Sequence, residues 1–183
     1  ENANVIVVDW ATGAKTPNLL AAAASSNAVG SDVGWLVGTM TTMGQSPKRI
    51  TLIGHSLGAN VMKVAGLGLI NVGNIKVGQL VALDPVAGIY TGAADLVQVI
   101  HTSSVAALAA GDIDFYINNG AIEANQVTAH MKAINIYVKS VNGGCAFKAC
   151  NAAGGCNKVG YGVNAEGTKG RLDLSVPNTS TFC

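Results

Sequence analysis

The sequence predicts an α/β fold with a mostly parallel sheet, and three observations carry the prediction. Short apolar runs of strand length recur along the chain, with helix-forming stretches between them. Most of these runs are continuously apolar rather than alternating, the pattern of strands covered on both faces. One run ends in Gly54-His55-Ser56-Leu57-Gly58 and passes directly into helix formers, which reads as strand, sharp turn, helix.

Taken in order, Val5-Ile6-Val7-Val8 is long enough for a buried strand and is closed by Asp9-Trp10. Nothing like a signal peptide leads it, and a chain opening on a central-looking strand without any edge device predicts the continuation of something longer. Asn18 to Met43 is predicted helical, with Val29, Val33, Leu36, Val37 and Met40 at spacings of three and four, and Trp35 is expected in the core. Ile50 to Ile53 is the next strand, preceded by Pro47, and the helix after the turn runs to about Leu69. Gly78 to Leu83 forms a strand ending at Asp84-Pro85, and Leu96 to Ile100 forms another ending at His101-Thr102. Asp112 to Ile117 alternates like a half-exposed strand and stops at Asn118-Asn119-Gly120. Asn125 to Val141 holds His130 and the apolar run Ala133 to Val138. From Cys145 onward Gly, Asn and Ala dominate, which predicts a stapled loop and a short terminal strand near Arg171 to Val176.

At 183 residues and 49% apolar content the chain suits a single domain, residues 1–183, with a sizeable core. A net charge of +1, without a basic run or an aromatic-interleaved patch, argues against a nucleic-acid partner. Mean hydropathy is high at +0.37. Even so, the longest apolar runs break well short of a membrane span, which leaves at most peripheral contact with lipid surfaces. The four cysteines, Cys145, Cys150, Cys156 and Cys183, all come late. With no histidine in reach and no paired C-x-x-C they predict two disulfides rather than a metal site, and hence secretion. Loop length alone favours Cys150 with Cys156, leaving Cys145 for Cys183. No motif requires a metal or an organic cofactor.

The turn at Ser56 carries the chemistry. A serine at the apex of so tight a turn sits in a strained backbone conformation and needs neighbours without Cβ atoms, which Gly54 and Gly58 supply. The strain lifts the hydroxyl clear of the sheet, while the N–H of Leu57, in the first helical turn, is aimed where an oxyanion would form. This is the nucleophile elbow of a serine hydrolase. Such a serine needs a base, and the base needs an orienting carboxylate. Asp84 ends a strand, where a parallel sheet places its working loops; its competing role is a turn-initiating Asp before Pro85. Of the three histidines, His55 lies inside the elbow and points away from Ser56, so it is expected to be structural. His101 and His130 both satisfy the chain order Ser, Asp, His, and position alone does not separate them.

Asn4-Val-Ile-Val-Val-Asp-Trp10, Ile53-Gly-His-Ser-Leu-Gly-Ala-Asn60, Leu83-Asp-Pro85, Ala94-Asp-Leu-Val-Gln-Val-Ile-His-Thr102 and Asp114-Phe-Tyr-Ile-Asn-Asn-Gly120 together resemble the animal pancreatic-lipase family, nearest to insect neutral lipases and phospholipases A1. The likeness runs collinearly over most of the chain. It implies an α/β-hydrolase fold lacking its first strands, a lipid or ester substrate, Ser56 as nucleophile, Asp84 as acid, His130 as base and a structural His101.

Family members also carry, upstream of the Val-Ile-Val-Val-Asp-Trp strand, a loop that supplies a second oxyanion N–H, and loss of one such donor typically costs about 10²–10³-fold in rate. The resemblance therefore implies the carboxy-terminal part of a longer precursor, with its own amino-terminal fragment as a candidate partner. The spans from Asp84 to Asp95 and from Gly120 to His130, which hold the β9 loop and lid in the lipases, are short here. That implies an open cleft, closer to phospholipase A1 or esterase behaviour than to interfacial activation. The same resemblance extends to insect yolk proteins that have lost catalysis, so a weak or inactive storage or lipid-binding protein is the alternative.

Overall fold

A computed structural model of the chain describes residues 3–15, 18–103, 108–119, 125–143, 145–177 and 182. Among the described residues the helices are α1 (Ala11–Ala14), α2 (Leu19–Thr42), α3 (Leu57–Gly73) and α4 (Gln126–Val141). The strands are β1 (Thr51–His55), β2 (Gln79–Leu83), β3 (Leu96–His101), β4 (Ile113–Ile117), β5 (Lys148–Cys150), β6 (Cys156–Lys158) and β7 (Gly170–Leu174). They form one sheet in the order β1-β2-β3-β4-β7-β5-β6. The first five strands of that order are parallel, and β5 and β6 add an antiparallel hairpin at the far edge.

Strand alternation sorts side chains onto two faces, and each face has its own core. Leu80 and Ala82 of β2 join Val97 and Val99 of β3 under α2 and α3, while Val81, Leu83 and Ile100 pack with Phe115 and with Ala133 and Ile136 of α4 on the opposite face. Helices thus cover both sides of a mostly parallel sheet, as expected for this class. Asn18 caps α2, its side-chain oxygen accepting from the N–H groups of Leu20 and Ala21.

Four expectations are corrected. Val5 to Val8 is not a strand: no pairing involves it among the described residues, and Val5 and Val7 are each 85% exposed. A continuous apolar run becomes a buried strand only where a ladder and two covering layers meet it, and here only Val8 and Trp10 reach the core. Trp35 is 75% exposed rather than buried. The reason is a stripe of small residues on α2: a Cβ at Gly30 would lie 2.6 Å from the Val64 side chain, and one at Gly34 3.3 Å from the Ala65 carbonyl. That stripe faces α3 at close range, and Trp35, one residue round the helix, is turned outward. The strand expected to be half exposed, β4, is buried throughout between β3 and β7, and its polar Asp114 is satisfied there by buried His101. Finally, the loop expected after Cys145 contains the β5–β6 hairpin, held in register by the Cys150–Cys156 disulfide. Cys145 is also disulfide-bonded, and its expected partner Cys183 lies outside the described residues.

Candidate active site

Parallel register brings the carboxyl ends of three strands abreast. His55 pairs with Leu83 and Leu83 with Ile100, and the ladder continues one step further, Ser56 N–H donating to Leu83 O at 3.0 Å and Asp84 N–H to Ile100 O at 2.8 Å. Ser56, Asp84 and His101-Thr102-Ser103 therefore share one edge of the sheet.

Ser56 occupies φ 55° and ψ −125°, a left-handed region costly for a side chain with a Cβ. Gly54 is required beneath it, since a Cβ there would come within 2.2 Å of the Gly58 carbonyl oxygen. Gly58 itself is not required in that sense: a Cβ would meet nothing within 4 Å, so the expectation that both glycines relieve crowding holds for Gly54 alone. Leu57 opens α3, and its N–H lies among the first-turn donors that a helix cannot satisfy internally.

Asp84 is 2% exposed, with φ 40°, a backbone state that Asp and Asn tolerate better than most residues. Its Oδ1 accepts from the N–H groups of Thr102 (2.8 Å) and Ser103 (3.0 Å), and its Oδ2 accepts from the Ser103 hydroxyl. The remaining bond on Oδ2 comes from Nδ1 of His130 at 2.6 Å. His130 lies on α4, its side chain 24% exposed, so one edge of the ring is pinned by the buried carboxylate while the other is left for solvent or a ligand. Thr102 and Ser103 as carboxylate anchors were not legible in the sequence; only the pairing of β2 with β3 sets them opposite Asp84.

His55 occupies the space between the elbow and α4. Its Nε2–H donates to the His130 carbonyl at 3.0 Å, and the two imidazole centroids are 4.3 Å apart with their planes tilted by 42°. Burial pushes its pKa below the ordinary 6.5, opposed in part by the bond to that carbonyl. Ser56 Oγ and His130 are not hydrogen-bonded to each other in this structure.

His101 goes elsewhere. Its Nε2 is 2.8 Å from Oδ1 of Asp114, and both side chains are 1% exposed. Asp114 also accepts from the N–H groups of Ala110 and Gly111, and the imidazole stacks on Tyr116 at 4.4 Å. Among the described residues no cluster of His, Cys, Asp or Glu could hold a metal ion.

A mostly parallel sheet with helices on both faces and a strained serine turn between strand and helix has the architecture of the α/β-hydrolase fold. The chain belongs to the lipase family, whose profile matches residues 1–153. It is 34% identical over 140 residues to pancreatic lipase-related protein 2 of Rattus norvegicus, covering 66% of this chain and 29% of that protein. Phospholipase A1 member A of Bos taurus is 28% identical over 172 residues (81% and 37%), and lipase member H of Danio rerio is 29% identical over 166 residues (78% and 36%). The chain thus spans less than two fifths of the length of each of these relatives.

Proposed function

We propose that this chain carries the acyl-transfer centre of a secreted serine hydrolase acting on lipid carboxylic esters, of the phospholipase A1 or neutral lipase type. The observation that carries the reading is the 2.6 Å bond between His130 Nδ1 and a buried Asp84 whose other lone pairs are already taken. A carboxylate so fixed holds the imidazole in one tautomer, with Nε2 free to accept a proton. Ser56 Oγ attacks the ester carbonyl, His130 Nε2 takes its proton, and the Leu57 N–H stabilises the oxyanion. The proton then passes to the departing alcohol, leaving an acyl-enzyme that water hydrolyses by the same steps in reverse. The Ser56–His130 hydrogen bond forms as substrate binds, since catalytic hydrogen bonds are often long before the Michaelis complex. The disulfides suit an oxidising compartment, and among the described residues no helix is long and apolar enough to cross a membrane.

Labelling by a fluorophosphonate tests the reading. Covalent attachment at Ser56, abolished in Ser56→Ala and in His130→Ala, is the expected result. A folded protein that stays unlabelled at every pH overturns it and favours the storage or lipid-binding alternative.

A further inference from the structure

We propose that His55 is a positioning residue for His130, a strut tying the helix that carries the base to the turn that carries the nucleophile. This rests on the reading of Ser56, His130 and Asp84 given above. His55 is covalently joined to Ser56 and reaches across to α4, where its Nε2–H holds the carbonyl of His130 and its ring lies against the His130 ring. It therefore grips both reacting groups at once, while Asp84 grips only the base.

The two holds on His130 constrain different motions. The Asp84 bond fixes the Nδ1 edge but leaves the ring able to swing about that contact. The His55 ring lies 4.3 Å away, and its bond to the His130 carbonyl stops the first turns of α4, and the imidazole they carry, from sliding along the sheet edge. A helix carbonyl can accept this second bond without giving up its intrahelical partner, because it has two lone pairs. The geometry requires a proton on Nε2 of His55, which the neutral ring supplies to the His130 carbonyl. Burial maintains that neutral state, and a site whose base becomes cationic during the reaction gains no competing positive charge next to it.

The test compares two variants of the full chain. His55→Gln keeps an N–H at about the reach of Nε2, whereas His55→Phe keeps a ring without the donor. Misplacing reacting groups by a fraction of an ångström to an ångström costs up to about 100-fold, so His55→Phe is expected to slow fluorophosphonate labelling of Ser56 about tenfold, with His55→Gln within about threefold of wild type. The second readout is the proton NMR signal of His130 Nδ1–H. Wild type and His55→Gln retain it downfield, and His55→Phe loses it to solvent exchange. Wild-type labelling together with a retained signal in His55→Phe overturns the proposal. So does equal slowing in both variants in proportion to equal losses of melting temperature, which is plain packing. If wild-type Ser56 is never labelled, the hydrolase reading fails on its own, and the Nδ1 signal still decides the strut: its retention in His55→Phe overturns it, and its selective loss supports it.

Discussion

Two histidine–aspartate pairs stand at the same edge of the sheet and meet opposite fates. His101 and Asp114 are sealed, with Tyr116 stacked on the imidazole and the Arg171 guanidinium carbon 4.1 Å from the centre of the Tyr116 ring. His130 and Asp84 share the same chemistry, but the histidine comes from a helix that leaves a quarter of its side chain open. The pairing itself therefore does not distinguish a base from a structural brace. What does is whether the free edge of the ring can reach solvent and a nucleophile.

The largest effect expected from breaking this comparison is on the open pair. Asp84→Asn leaves the volume intact but removes the charge that orients His130, so ester hydrolysis or labelling of Ser56 should fall about 10³–10⁴-fold with little change in melting temperature. A drop under tenfold would place the two pairs in the same structural class. On the sealed pair the order is reversed. His101→Ala strands a buried carboxylate, for which a loss of about 3–5 kcal/mol of stability is expected in denaturant unfolding, with the labelling rate of the folded fraction kept within about threefold. Loss of labelling without loss of stability would make His101 the base instead.

The smallest effects separate the pairs by pH. His55, beside the open pair, has a lowered pKa, chiefly from burial, so the unfolded chain takes up its proton first as pH falls. Stability should fall as pH drops below 6.5, and His55→Gln should flatten that limb in urea titrations. Tyr116, against the sealed pair, has a raised pKa, first from burial and then from the Asp114 charge, so the unfolded chain loses its proton first as pH rises. Stability should fall above pH 10, and Tyr116→Phe should flatten the alkaline limb; identical limbs in wild type and variant would show that neither group is linked to folding.

The sequence was legible where local rules suffice. The elbow, the strands Ile50 to Ile53, Gly78 to Leu83 and Leu96 to Ile100, and the short Cys150–Cys156 loop all follow from patterns within a few residues of one another. It failed where a partner distant in sequence decides. Asp114 looked like an exposed position of an alternating strand because nothing local shows that His101 will lie beside it. Trp35 looked like core because apolar periodicity does not show that glycines will take the inner face of α2. Val5 to Val8 has the composition of a strand but no ladder among the described residues. That His101 would pair with Asp114 and His130 with Asp84 was not legible locally, since both histidines obey the same order along the chain.

The left-handed backbone at residue 84 filters its own replacements. Gly, Asn, Asp and His sit most easily there, and of these only Asp brings a negative charge. A lineage that abandoned the chemistry would therefore be expected to settle on Asn or Gly at this position rather than on Ala or Glu. On the proposed reading, the identity of that single residue would accordingly be a sharper marker of retained activity than the serine turn, whose shape can outlive its use.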